Sequence, residues 1–549
     1  MVDNIEKDDI KKAIDVYTTI QDKKLGQSDN MLEICDILED FLRRKGLLCY
    51  GGLALNNILP KTSRFYEEYE MPDYDVYSTN PPKYLTEIAD IFYKRGYTNC
   101  YAASNPIHIG SYKLFINYIG VLDVTHLPPL LYSKLFDERI LANGISYTPV
   151  NFLRRSVYNE LSNPEGDISR FDKVFSRLSL VDKHYHIPIP DPKHTSDFSV
   201  LNIPEATYTC LTKSIIQYGG VFFGGYAISL YSKYLHKEIG SFVNKHKQLI
   251  YAFVNDPKLA IDLITDNCAK LNIKISHVKH AAISDVVGVH YEILLDDKTC
   301  GVLFTPIGCH SYNIIRRDNQ YVNIATIYTI LHMYYSFIYI DAPYYNHHYI
   351  SCMTQCLYHI KKPSSGSHII LKPFPVSCYG SQHTREEIFQ ERSDLFKEYK
   401  TNPTNSRLKQ LFYRYSPGKV PDPKDPKDTK TDNIIDYEVS SELERGSSTP
   451  AVSEKKQTSK KEYDMQKVVS IDQYSNNHKH PKHRPSKSRY SGIGSYIPSF
   501  QGNVSRRSTH KRYNKYGAKT RRNKYTANGR AGIFNIYRKS KRRFRRGLL

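Results

Sequence analysis

Two carboxylates alternate in Asp73-Tyr74-Asp75-Val76-Tyr77, and a third stands in Gly120-Val121-Leu122-Asp123-Val124. On an extended chain Asp73 and Asp75 share one face, with Tyr74 and Val76 on the other. Two acids that close repel unless something positive lies between them, and Mg²⁺ held by oxygen ligands fits. An exposed strand end after Pro72 would instead leave them simply solvated. Asp123 follows the apolar run Phe115-Ile116-Asn117-Tyr118-Ile119-Gly120-Val121-Leu122. A lone acid there is costly unless it is paired or bound to a cation. Upstream, Gly51-Gly52 interrupt Leu47-Leu48-Cys49-Tyr50-Gly51-Gly52-Leu53-Ala54-Leu55. A glycine pair between strand and helix lets the backbone approach a phosphate, and the helix start supplies free N–H groups. An ordinary tight turn has the same sequence. If the three acids converge beside the glycines, they suit a triphosphate and its metal ions, and the chemistry is nucleotidyl transfer.

Arg170, Lys173 and Arg177 recur at helical spacing opposite Phe171, Val174, Phe175 and Leu178. The stripe fits β- and γ-phosphates or an RNA backbone; a solvated helix face has the same pattern. Arg154-Arg155 are equally open. His347, His348, Cys352, Cys356 and His359 have no recognised zinc spacing, and helix packing explains them better.

The elements that must position these residues follow from hydrophobic period. Met31, Leu32, Ile34, Cys35, Ile37, Leu38, Phe41 and Leu42 predict a helix after Ser28 or Asp29, closed by Gly46. Residues 47–190 then alternate: a strand to Tyr50, a helix from Leu53, a strand at 74–78 and a helix around 84–95. Strands near 112–126 and helices at 149–161 and 167–183 complete the unit. His186-Ile187-Pro188-Ile189-Pro190-Asp191-Pro192 reads as a linker.

Beyond it the pattern returns. Val221-Phe222-Phe223-Gly224-Gly225-Tyr226-Ala227-Ile228 repeats the sense of residues 48–55, and Asp256-Pro257-Lys258 opens a helix as Pro82-Lys83 does. Gly301-Val302-Leu303-Phe304 falls where Gly120–Asp123 falls, and a helix is expected at 324–336. This is an internal duplication. The second copy offers Leu249-Ile250-Tyr251-Ala252-Phe253 at the Asp73/Asp75 strand and Phe304 at Asp123, so it is expected to be catalytically dead. The predicted class is α/β (α+β), with tandem units of one fold. The expected divisions are a helical segment at 1–46, a catalytic domain at 47–190, a degenerate domain at 191–400 and a basic, disordered tail at 401–549.

The net charge of +21 belongs to that tail. Residues 401–549 hold 35 Lys and Arg against 12 Asp and Glu, leaving residues 1–400 at −2. Residues 501–549 carry 17 basic residues and no acid, with Tyr513, Tyr516, Tyr525, Phe534, Tyr537 and Phe544 interleaved. Such a segment binds nucleic acid with strong salt dependence and little sequence preference. The ten cysteines are scattered singly. Met1-Val2-Asp3-Asn4 lacks a signal-peptide core, and no uncharged stretch is long enough to span a bilayer. The expectation is a reducing, intracellular compartment and no membrane.

Tyr50-Gly51-Gly52-x-Ala54, Asp73-x-Asp75 and the distant Asp123 resemble the DNA polymerase β-like nucleotidyltransferase superfamily. Within it the chain is most similar to the poly(A) polymerase catalytic subunits of large cytoplasmic DNA viruses, giant-virus members above all, over roughly residues 30–400. Many superfamily members have Gly-Ser where this chain has Gly51-Gly52, and the loop 60–72 is not placed by the family pattern. The resemblance implies addition of AMP from ATP to mRNA 3′ ends with Mg²⁺ or Mn²⁺, in the host cytoplasm and with possible packaging in the virion. It implies Asp73, Asp75 and Asp123 as catalytic metal ligands, and nucleotide contacts from Gly51, Gly52, Arg170, Lys173 and Arg177. Processivity is left to self-association as a homodimer, a separate subunit or the tail. Two other readings remain: a nucleic-acid-binding pseudoenzyme or packaging protein acting through its tail, and a sugar-nucleotide transferase using Asp73-x-Asp75.

Overall fold

The computed structural model describes residues 29–418 except 68, 69, 71, 192–197, 199–201 and 361–368, together with 10, 12–14, 16–18 and 20. All lie in one compact unit, Met1–Ile471. The basic stretch 501–549 lies outside the described residues, as does most of the segment before residue 29.

Helix α1 (Asp29–Lys45) buries Met31, Ile34, Ile37, Leu38, Phe41 and Leu42. Strand β1 (Leu48–Tyr50) leads into α2 (Gly51–Asn57), which starts at the glycines themselves, two residues before the predicted start. Then come β2 (Tyr74–Ser78), α3 (Pro81–Lys94), β3 (Cys100–Ser104), β4 (Ser111–Ile116) and β5 (Ile119–His126). Helix α4 (Pro129–Asp137), β6 (Ile140–Ala142), β7 (Ile145–Tyr147), α5 (Val150–Leu161) and α6 (Phe171–His184) finish the first module. Asn117 and Tyr118, both at positive φ, make the two-residue turn between β4 and β5, and a bulge at Leu114/Phe115 shifts the register of the rest of the pair by one.

The second module begins with α7 (Glu205–Tyr218), β8 (Val221–Phe222), α8 (Gly225–Tyr231), α9 (Lys237–Lys245), β9 (Ile250–Phe253) and α10 (Pro257–Ala269). Strands β10 (Ser276–His280), β11 (His290–Leu295), β12 (Lys298–Phe304), β13 (His310–Arg317) and β14 (Gln320–Ala325) precede α11 (Ile327–Phe337) and α12 (His347–Tyr358). A closing segment holds β15 (Cys378–Tyr379), α13 (Arg385–Thr401), α14 (Ser406–Leu411) and β16 (Arg414–Tyr415). The protein is thus an α+β fold of two sheet-and-helix modules.

The first sheet runs β16-β3-β4-β5-β2-β1-β7-β6 and the second β10-β11-β12-β9-β8-β14-β13-β15. Apart from β16 and β15, the strands correspond one for one, and every corresponding pair runs in the same sense. Tyr251 pairs with Val302 as Asp75 pairs with Asp123. Val302 therefore occupies the Asp123 register. A match on Gly-Val-Leu puts Phe304 there instead, because a glycine match ignores how strands pair.

Helices α5 and α11 pack together between the modules. There Arg155 donates to Ser336 Oγ (3.2 Å) and the Asp285 carbonyl (2.7 Å), and His332 Nδ1 donates to the Arg155 carbonyl (3.3 Å). Arg154 pairs with Asp182 at 2.8 Å. Both arginines are buried and structural. Cys352 and Cys356 are likewise buried in α12, and His359 donates to the Ile187 carbonyl. Cys309 and Cys378 form a disulfide across β13 and β15, with Cα atoms 5.3 Å apart. Their spacing in sequence gave no sign of it: the two are 69 residues apart and only the sheet joins them.

Residues 401–418, expected to be part of the tail, return to the first module, and residues 419–549 lie outside the described residues. Strand β16 pairs with β3, covering an otherwise open sheet edge. Tyr413 is buried edge-on against Tyr112 and hydrogen-bonds Thr86 (3.0 Å). Tyr413→Ala is expected to cost about 3 kcal/mol through the cavity it leaves, and Tyr413→Phe about 1 kcal/mol. Chemical denaturation measures both; equal midpoints for all three proteins would contradict this anchoring role.

Candidate active site

The acids meet through strand pairing. Asp75 lies in register with Asp123 on the parallel neighbour β5, Asp123 with Lys113 on β4, and Asp75 with Tyr50 on β1. Paired residues on adjacent strands project to one face, so Lys113, Asp123, Asp75 and Tyr50 form a row. Asp73 sits just before β2. Beneath the row Tyr50 stacks on Tyr77 with ring centres 3.9 Å apart and pairs with Thr125 (2.9 Å).

The acids crowd one another, and one side-chain cation answers them. Lys113 Nζ lies 2.9 Å from Asp123 Oδ2, while Asp123 Oδ1 is buried and has no partner among the described residues. Burial, then the neighbouring Asp123 and Asp73, push Asp75 from 3.8 up to about 8. Burial also raises Asp123, against the opposing pull of Lys113. An unpartnered carboxylate oxygen and an acid whose ionisation is opposed by burial and by its neighbours fit a divalent cation. The three carboxylates do not close as a set to within 4.8 Å; among the described residues only Glu165, Cys309 and Cys378 do so, and there the thiols are joined as a disulfide.

The glycine turn is shaped by what lies over it. Gly51 has φ +70°, and a Cβ there would stand 2.4 Å from Asp75 Oδ2. A Cβ on Gly52 would stand 2.3 Å from Tyr66 Oη and 2.9 Å from Arg177 Nη1. No side chain caps the N-terminus of α2. The loop after α2 is held by Asn56, whose Oδ1 accepts from the N–H groups of Phe65 (2.9 Å) and Tyr66 (3.0 Å). Arg177 lies over both rings, 4.2 Å and 5.2 Å from their centres.

Helix α6 turns its basic side to the same place. Burial, then the charges of Arg177 and Arg170, lower Lys173, and the field of Asp73 opposes them. Arg170 precedes the helix and donates to Glu160 (2.5 Å), so it is not a free helical cation as the spacing implied. Phe175, expected on the inner face, is exposed, and Val181 is buried there instead.

Sequence reasoning missed Lys113, Tyr66, Phe65 and Asn56. Lys113 was not legible: the Asn117-Tyr118 turn alone would set Tyr112 opposite Asp123, and a bulge at Leu114/Phe115 shifts the register by one to bring Lys113 there. The loop residues carried no signal either, because their placement depends on α6.

Residues 36–167 match the model of the poly(A) polymerase catalytic subunit family. The resemblance to that viral family is borne out. Candidate poly(A) polymerase catalytic subunits of African swine fever virus and of Acanthamoeba polyphaga mimivirus are 26% identical over 195 residues and 27% identical over 207 residues. These alignments take in 34% and 37% of this chain, and only 40% and 32% of the viral proteins. The crystal structure of the Megavirus polyadenylate synthase superposes with a TM-score of 0.61 at 17% identity, covering 80% of this chain and 90% of that one. That likeness extends the shared fold across both modules. No helix among the described residues is long and apolar enough to cross a membrane.

Stability should report the crowded acids. The folded value of Asp75, about 8, lies above its ordinary 3.8, so its ionisation destabilises the metal-free fold increasingly between about pH 4 and 8. Asp75→Asn removes that penalty, and its gain in melting temperature over the native protein should grow from pH 5 to 8 by about 2–4 °C. Added Mg²⁺ should stabilise the native protein and not the variant. A pH-independent difference in calorimetry would refute the assignment.

Proposed function

We propose that the chain transfers AMP from ATP to an RNA 3′-hydroxyl and so polyadenylates mRNA without a template. The observation that carries this reading is the in-register pair Asp75–Asp123 beside the Gly51-Gly52 turn, inside the segment that matches the family. Asp73, Asp75 and Asp123 are the residues to hold two Mg²⁺ or Mn²⁺ ions, which when bound would acidify the attacking hydroxyl and offset charge on the leaving pyrophosphate.

The chain's own groups orient the reactants. The bare backbone at Gly51 and Gly52 lets Asp75, Tyr66 and Arg177 pack directly against the turn, where any side chain would strike them. Arg177 and Lys173 face the β- and γ-phosphates, Arg177 pre-positioned by stacking on Phe65 and Tyr66. Arg170, tied to Glu160, contributes through its charge more than through contact. The 3′ oxygen bonds to the α-phosphorus, the α–β bridging bond breaks, and the hydroxyl proton and pyrophosphate leave. Lys113, 2.9 Å from Asp123, would have to release that carboxylate for it to hold a metal ion.

The two modules are read as a duplication, 47–190 catalytic and 191–400 degenerate, with 401–418 closing back on the first. Leu249, Tyr251 and Val302 replace Asp73, Asp75 and Asp123, leaving the second module to bind RNA or a partner, a processivity subunit or a second copy. The viral relatives support a site of action in the host cytoplasm.

Incubation with labelled ATP and an oligo(A) primer tests the reading. Asp75→Ala and Asp123→Ala should each reduce extension by roughly 10³-fold, the scale of a lost electrostatic stabiliser. No extension by the native protein with any nucleoside triphosphate sinks it. Gly51→Ala, which forces a Cβ against Asp75 at positive φ, should lower extension by a similar factor while Gly52→Ala, displacing Tyr66 and Arg177, chiefly raises KM for ATP. Unchanged kinetics in both variants would remove the glycine turn from the site.

A further inference from the structure

The row of in-register residues does not stop at the acids. Beyond Asp123 it runs through Lys113 on β4 and Ala103 on β3 to Arg414 on β16. Asp123 and Arg414 are three strand spacings apart, about 14 Å, so the row reaches from the acids to the sheet edge. Burial alternates along β4. Tyr112, Leu114 and Ile116 are buried on the side where α3 packs, while Ser111, Lys113 and Phe115 are only half-buried. The face that carries the acids is therefore partly open to solvent.

Side chains on that face form a platform. Phe115 pairs with Tyr101 across β4 and β3, and their rings stack with centres 4.7 Å and planes 12° apart. The Arg414 guanidinium lies over the Tyr101 ring at 5.2 Å. Tyr118, in the β4–β5 turn, is 69% exposed and close enough to oppose the ionisation of Tyr101. The second module is an internal control. There Ser276 pairs with Leu294 where Tyr101 pairs with Phe115, and Val278 pairs with Glu292 where Ala103 pairs with Lys113. Its β10 is a sheet edge among the described residues, with no counterpart of β16. The module without the acids thus lacks the rings, the lysine and the arginine as well, although its sheet is intact. The platform goes with the chemistry and not with the fold.

We propose that this face binds the 3′-terminal nucleotides of the acceptor RNA, with bases stacked on Tyr101 and Phe115 and a phosphate at Arg414. Unpaired bases stack on aromatic rings of an open sheet, and arginine meets the backbone. A few nucleotides span the row and bring the last hydroxyl to Asp123. Continuity with the acid row favours RNA, since a protein partner has no need to end at carboxylates. Stacking reads no base edge, so the platform accepts any base. It also gives the closing segment a role, because β16 delivers Arg414. The inference rests on RNA being the acceptor, as proposed above.

Tyr101→Ser and Phe115→Leu give those two registers the residues they carry in the second module, so the sheet should fold. Each should raise KM for an oligo(A) primer at least about 5-fold, near the low end of a lost base–aromatic stack. KM for ATP should stay within about 2-fold. In fluorescence anisotropy, Arg414→Gln should lower the slope of log affinity against log salt by about 0.7. Placement is read separately on the full-length Asp75→Asn protein in EDTA. An oligo(A) carrying 4-thiouridine next to its 3′ end should cross-link to residues 100–118, and moving the probe to the 5′ end of a long primer should abolish that adduct. Unchanged primer KM in the folded double variant overturns the proposal. So do adducts confined to other segments, which would leave the aromatic pair to a protein partner. If the double variant does not fold, Arg414→Gln and the cross-link decide. Extension by the native protein with adducts elsewhere defeats the platform alone, whereas adducts on it without extension defeat the adenylation reading and leave an RNA-binding face.

Discussion

The first module is organised around an unfavourable contact. Asp75 and Asp123 are in register on adjacent parallel strands, both largely buried and both acidic. Parallel pairing fixes their Cα atoms, so the fold cannot relieve the repulsion by sliding one strand without moving every buried neighbour to the wrong face. Protonation, a side-chain cation or a metal must relieve it. The Lys113 pair and the orphan oxygen of Asp123 are two visible responses to that constraint, and the opposed ionisation of Asp75 follows from it. A site whose charge is completed by its ligand is less favourable empty, and that difference is what drives binding.

The second module is the same strand arrangement with the constraint lifted. Tyr251 and Val302 occupy the registers of the acids, and Phe223, Phe253 and Phe304 pack the interior that charge had kept polar. Nothing in the topology therefore requires the carboxylates; they are an addition to a sheet that is stable without them. Aromatic filling gives that sheet a core, which the α5–α11 pair joins to the first module through Arg155. The closing segment links the two sheets a second time, pairing first with β13 and then with β3.

What the sequence carried was local order. Helix spacing at Met31–Leu42, the Asp73-x-Asp75 alternation and the Gly51-Gly52 break each describe neighbours along the chain, and their elements formed where periodicity put them. The third acid was legible because an aspartate in an apolar run is costly wherever it lies. Long-range pairings were not legible in this way. Val302, rather than Phe304, opposes Tyr251 because of strand register, and Cys309 meets Cys378 only after β15 docks. Arg170 looked free because Glu160, ten residues away, is brought to it by a turn that spacing does not describe. Residues 401–418 looked like tail because the basic composition of residues 419–549 outweighed Leu408, Leu411, Phe412 and Tyr413.

The glycines separate fold from chemistry. Both modules have a Gly-Gly step between a strand and a short helix, so the step cannot itself be the catalytic signature. In each module it is a place where a side chain from the next strand comes within reach of bare backbone: Asp75 over Gly51, Tyr251 over Gly224. What differs is the group that arrives. The approach is equally close in both, so the difference is one of charge: a carboxylate over the turn can share a cation with a phosphate, and a tyrosine cannot. The same approach thus yields a candidate triphosphate site in one module and an aromatic wall in the other, and the choice rests on one residue of β2 against its counterpart in β9.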